Sequence, residues 1–292
     1  MTTAAPAKPA QLRVTRRSAA YWRVTIENPP VNVMGPEMVR EFQAIIDALE
    51  SDQHVKVVVF DSAVDDYFLN HSDFVAKLED LTALPDGPTG LPPWPDFLVR
   101  LTRAPFVSIA LIRGRATGNG SEITLACDMS FASREKAVIS QWEVGVGMVA
   151  GGGPMARLPA LIGRNRALEV LLSWEDIRGD QAEAYGYVNR ALPDADIEAY
   201  VDALATRIAG FDKWAIANTK RLVNTSLPPD VEIGAGWDAC IASLGRPAAQ
   251  AGIKALFARG FQQSGDVENR LGYYVGQIAR PATSGSGRDT VS

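Results

Sequence analysis

Runs of β-branched and aromatic residues recur through the first half of the chain: YWRVTIEN (21–28), VKVVVFDS (55–62), FVSIALIRG (106–114) and MSFAS (129–133). Segments this short and this uniformly apolar predict buried strands. Between the first two, PEMVREFQAIIDALESD places Met38, Phe42, Ile45, Ile46 and Leu49 at the 3.6-residue spacing of one helix face. Pro36 suits its first turn, where no amide hydrogen is needed. LEDLTALPDGPTGLPPWPDF breaks this regularity: Pro85, Gly87, Pro88, Gly90, Pro92, Pro93 and Pro95 interrupt any element after Leu81. A long surface loop is expected there, of the kind that borders a site. From about residue 151 the strand pattern fades, and helical periodicity continues to Ile278. The pattern predicts an α/β core followed by a helical C-terminal region.

Composition narrows the function classes. With 292 residues, 47% of them hydrophobic, the chain can bury one large core with a small appended unit. A net charge of -5 leaves no basic excess for a phosphate backbone, so nucleic acid is not expected as a partner. The 2 cysteines, Cys127 and Cys240, and the 2 histidines lack metal-ligand spacing, so no metal site is expected. No segment approaches the ~20 apolar residues of a membrane span, and a cytoplasmic location is expected. Residues 1–10 and 280–292 read as Ala/Pro- and Ser/Gly-rich tails.

After FVSIALIRG the chain runs through Gly114 and Ala116 into Gly118-Asn119-Gly120 and then SEITLAC. This is strand, glycine turn, buried helix. The start of such a helix offers unpaired backbone amides and a positive dipole end, the ingredients of an oxyanion site. The plainer alternative is a tight turn in which Glu122 only complements the helix dipole.

This stretch resembles the signature of the enoyl-CoA hydratase/isomerase (crotonase) superfamily, a glycine run with Glu-Leu followed by Ala-Cys-Asp. IENPPVNVMGPEMVREF, KVVVFDSAVDDYFLNHSDF and the segment AVISQWEVGVGMVAGGGPMARLPALIGRNRALEVLLSWEDIRGDQAEAYGYVNRALP resemble further family elements in the same order, over residues 12–225. The resemblance implies a spiral of ββα units over 11–210. It also implies a helical oligomerisation region over 211–279, forming a homotrimer or homohexamer through positions such as Trp214, Ile216, Leu222, Val223, Ile253, Leu256 and Phe257. It further implies an acyl-CoA substrate, with coenzyme A as part of that substrate and no separate cofactor. A thioester oxygen would sit between the backbone N–H groups of Ser72 and Asn119, with Glu122 and Glu143 handling water and a proton.

Departures from the family pattern keep other readings open. His71, preceded by Asn70, stands where the family usually has glycine. It either fills that position structurally or adds an acid/base group beside the reaction centre. Trp142 replaces the usual proline before the second glutamate. With Trp94 and Phe97 from the expected loop, it would shape a pocket for a bulky acyl group or simply fill core. The expected activity is hydration of a 2-enoyl thioester. The alternatives are isomerisation or C–C cleavage of a bulkier acyl-CoA or β-diketone, and a noncatalytic member of the family.

Overall fold

A computed structural model describes residues 10–279. The expected tails at 1–10 and 280–292 lie outside the described residues, apart from Ala10. The predicted strands appear as β2 (Tyr21–Ile26), β3 (Val57–Ser62), β5 (Val107–Ile112) and β7 (Met129–Ser133). With β1 (Leu12–Arg16) and β10 (Arg190–Leu192) they form a sheet in the order β1-β2-β3-β5-β7-β10, parallel except at β1/β2. A second sheet contains β4 (Asp66–Leu69), β6 (Gly114–Thr117), β8 (Val138–Ser140) and β9 (Ile177–Arg178), in the order β4-β6-β8-β9. From β3 to β8, successive strands alternate between the two sheets. Each strand pair then passes to a helix, so the chain winds as repeated ββα units.

Helices close the outside of this winding. α1 (Pro36–Ser51) buries the face predicted for it and packs on α3 (Pro93–Arg103). The short α2 (Leu78–Thr82) precedes a loop that ends at Pro92, earlier than the proline content suggested. Pro93 occupies the first helical position, where its missing amide costs nothing, so the segment expected to be loop instead enters a buried helix. Phe97 therefore lies in the core against Phe42 and Phe60. α4 (Asn119–Ala126) follows β6 and is buried almost throughout. α5 (Pro154–Ile162), α6 (Arg164–Ser173), α7 (Gly179–Tyr185) and α8 (Ile197–Ala209) complete the winding.

The remaining helices are α9 (Lys213–Val223), α10 (Asp230–Leu244), α11 (Pro247–Phe257), α12 (Asp266–Asn269) and α13 (Leu271–Ala279). Lys220 ties α9 to the core: its ammonium donates to Asp128 at 2.8 Å and to the carbonyls of Leu101 and Phe106. α11 and α13 pack on the segment that follows β8, where Trp142, Val146 and Met148 share a core with Leu256, Phe261, Val267, Leu271 and Val275. Leu256, expected at a subunit interface, is thus buried within its own chain. Trp214, Leu222 and Val223 are exposed. Among the described residues, no helix is long and apolar enough to cross a membrane.

Candidate active site

The Gly118-Asn119-Gly120 turn is dictated by close approach. Gly118 has φ +55, and a Cβ on it would lie 2.9 Å from Glu143 Oε1. A Cβ on Gly120 would lie 1.8 Å from the carbonyl oxygen of Leu69, so only glycine lets α4 start against the end of β4. That contact brings the 70–74 segment, which continues β4, alongside the first turn of α4. Ser72 Oγ donates to Asn119 Oδ1 at 2.9 Å across the junction.

The backbone directions at this junction follow from the hydrogen bonding. Met34 N donates to the His71 carbonyl, and Asp73 N donates to the Met34 carbonyl. Extended alternation therefore turns the Ser72 N–H away from Met34. Asn119 is the first residue of α4, where an amide has no partner within the helix.

Glu122 projects from the first turn of α4 and is 2% exposed. Its Oε2 accepts from Trp94 Nε1 at 2.7 Å and from Asn119 Nδ2 at 3.1 Å, and its Oε1 accepts from the Gly152 amide at 2.5 Å. Burial raises its pKa, while these donors act the other way. Glu143 opens the 3-10 turn after Trp142 and is 9% exposed. Burial first, and the charge of Glu122 second, push its pKa up to about 8. Gln141 is the side chain that can hydrogen-bond to it. With its amide turned to satisfy both sides, Gln141 donates to Glu143 Oε2 at 3.0 Å and accepts from Ser121 Oγ at 2.7 Å. Ser121 Oγ is in turn 2.5 Å from the Tyr187 hydroxyl.

A cavity of about 240 Å³ opens beside both carboxylates. His71, Ser72, Asn119, Glu122, Trp142 and Glu143 all line it, and Met34, Phe74, Leu78, Met148, Trp237 and Ile241 supply its apolar wall. Trp94 and Phe97, expected on that wall, are on α3 instead; Trp94 reaches the site only through Glu122. His71 is 1% exposed and stacks on Phe261 with ring centroids 4.3 Å apart. Its Nδ1 meets the Ser72 carbonyl at 2.9 Å, and its Nε2 lies 3.2 Å from both oxygens of Glu268. Sequence reasoning passed over Glu268, Gln262, Gln141 and the donor role of Trp94. The one available signal was His71 itself, a buried imidazole that needed a partner.

The sequence profile of the enoyl-CoA hydratase/isomerase family matches residues 16–236. The chain belongs to this family. A candidate enoyl-CoA hydratase from Streptomyces avermitilis has a solved structure 37% identical to this chain. It superposes with a TM-score of 0.87 and covers 94% of this chain and 99% of its own. The short-chain-enoyl-CoA hydratase of Clostridium acetobutylicum is 26% identical over 74% of this chain and 82% of its own length. The crotonyl-CoA hydratase of Syntrophomonas wolfei is 27% identical over 69% and 76%. The two alternating sheets with a helical C-terminal region are thus the crotonase-like spiral that the resemblance implied. An acyl-CoA substrate is consistent with membership of this family.

Proposed function

We propose that the protein adds water to a 2-enoyl-CoA thioester, as a hydro-lyase. The observation that carries this reading is the unequal surroundings of two carboxylates on one cavity. Glu122 is raised by burial like its neighbour, but it faces three donors that favour its carboxylate form and that Glu143 lacks. Glu143, with its pKa near 8, holds the proton at neutral pH. Environments that push two acids apart assign their roles. The thioester oxygen sits between the amides of Ser72 and Asn119, which stabilise the enolate. A single donor of this kind lowers the barrier by ~2.7 to 4 kcal/mol. Glu122 takes a proton from water as the water oxygen bonds to C3. The C2–C3 π pair moves toward the carbonyl, and Glu143 delivers its proton to C2. One water is consumed and no redox change occurs.

Trp94, Asn119 and Gly152 occupy three acceptor positions on Glu122, which favours a second reading. Glu143 alone could carry a proton between C2 and C4, which is isomerisation. Glu122→Gln and Glu143→Gln, assayed on a 2-enoyl- and a 3-enoyl-CoA, separate the two. Hydration requires that each change lower kcat on the 2-enoyl-CoA by roughly 10² to 10⁴ fold. Isomerisation requires that Glu122→Gln keep turnover of the 3-enoyl-CoA while Glu143→Gln loses it. Absence of turnover by the wild type on both, and on a β-diketone, leaves the noncatalytic alternative. Exposed Trp214, Leu222 and Val223 support a homotrimer or homohexamer, and sedimentation as a monomer at micromolar concentration would remove it.

A further inference from the structure

The segment 70–74 carries the Ser72 amide, and its backbone pairs with Met34 and Asn32, but its side chains need a further hold. It is gripped from almost two hundred positions away. Glu268, on α12, is 0% exposed. Its Oε2 accepts from Asn70 Nδ2 at 2.7 Å, both of its oxygens face His71 Nε2 at 3.2 Å, and its Oε1 accepts from the Gln262 amide at 2.6 Å. Gln262 continues the grip along the same segment: its Oε1 accepts from Phe74 N at 2.7 Å, and its Nε2 donates to Asp73 Oδ1 at 2.7 Å. Asn70, His71, Asp73 and Phe74 are therefore each bonded to one of two C-terminal residues. Ser72, at the centre, is left with its amide free to face the cavity.

Three features distinguish this from ordinary packing. Gln262 sits at φ 64, a left-handed conformation uncommon for a residue other than glycine, asparagine or aspartate. Such conformations persist only where the surroundings over-determine them. Both partners of the His71 ring are acceptors, the Ser72 carbonyl and the Glu268 carboxylate, so whichever ring nitrogen carries the hydrogen has an acceptor within reach. Third, burial acts to raise the Glu268 pKa, but the charge and hydrogen bond of His71, with the Gln262 and Asn70 donors, outweigh it. The carboxyl stays below its ordinary range. α12 is itself anchored, since Asn269 accepts from the Tyr67 hydroxyl at 2.6 Å through its side chain and from Arg115 at 3.0 Å through its carbonyl.

We propose that Glu268 and Gln262 are positioning residues: acting through Asn70, His71, Asp73 and Phe74, they lock in place the segment whose Ser72 amide, turned from Met34 by the backbone pairing, points toward the thioester oxygen. His71 is then the link in this clamp and does not itself transfer a proton to substrate. The segment 262–268 becomes part of the catalytic apparatus. This rests on the reading of Ser72 as an oxyanion donor, and the test is chosen to tell the two apart.

The probe is 2,4-hexadienoyl-CoA, whose absorption moves to longer wavelength when donors polarise its carbonyl. The variants are Glu268→Gln and Gln262→Gly. Glycine accepts the positive φ, leaves Glu268 in place and removes only the bonds to Asp73 and Phe74. Both variants should still bind the probe but lose most of its spectral shift. Their kcat on 2-butenoyl-CoA should fall by roughly 10² fold, the effect of a misplacement near 1 Å, while KM stays within about threefold. A lower melting temperature with an intact shift and an intact kcat would overturn the clamp and leave a structural role. If Glu268→Gln does not fold, Gln262→Gly decides alone. Bound probe without any shift in the wild type would instead overturn the oxyanion reading of Ser72.

Discussion

Ser72 and Asn119 meet at one hydrogen bond, yet their backbones are held by different means. Asn119 is fixed locally: a glycine on each side and the first turn of α4 place its amide, and a Cβ at Gly120 would collide with the Leu69 carbonyl. Ser72 lies on an extended segment paired through its backbone with Met34, and the side chains around it are held by Glu268 and Gln262 from the far end of the chain. A turn whose geometry is set by sterics tolerates almost no added volume. A segment held by side-chain hydrogen bonds tolerates volume, but it depends on the charge and reach of distant groups.

The local half is broken most severely by a methyl group. Gly120→Ala should destabilise the protein by about 3 kcal/mol, since backbone must move to relieve the overlap. Urea unfolding measures this, and a stability equal to wild type would contradict the steric account. The distant half should show the opposite profile, with loss of turnover outpacing loss of stability in the Glu268 and Gln262 variants.

A smaller effect is expected at Trp94, which joins the α3 core to the site through Glu122 alone. Trp94→Phe keeps the ring packing against Phe97 and removes one donor to the carboxylate. A hydrogen bond to a charged group contributes about 1.5 to 3 kcal/mol, so kcat should fall by at least ~10-fold. An unchanged kcat would show that Glu122 does not rely on that donor.

The mildest perturbation is pH. Glu143 has a folded pKa of about 8, above its ordinary 4.5, so the folded state binds the proton more tightly than the unfolded chain does. Its contribution to stability is fully present below pH 4.5 and is lost as pH rises through about 8. If Glu143 is the acid in hydration, kcat/KM falls along the same limb. Glu122→Gln removes the second cause of the shift and should move the residual limb to lower pH. A limb that stays in place would assign it to another group.

Much of this was legible in the sequence. β2, β3, β5 and β7 were readable because buried strands must be continuously apolar, and α1 because its buried face repeats at helical spacing. The glycine turn was readable because a strand here feeds an apolar helix, whereas Glu122 stood out as a site candidate only through the family resemblance. Trp94 was misplaced because proline was read as a breaker, whereas Pro93 starts α3. Glu268 was invisible: in GDVENRLGYY it has no pattern to separate it from a solvated charge.

The sequence by itself determined the four central strands β2, β3, β5 and β7 and the helix α1, where the backbone had to be glycine, and which residue types stood at the site. These follow from sterics and periodicity within a few residues. The tertiary structure alone decided that Trp94, Asn119 and Gly152 converge on Glu122 while Glu143 is buried beside that charge, and that Glu268 completes His71. The reason is that desolvation and hydrogen-bond partnership depend on what surrounds a group in space. For a carboxylate, those surroundings come from segments that the chain brings together only when it folds.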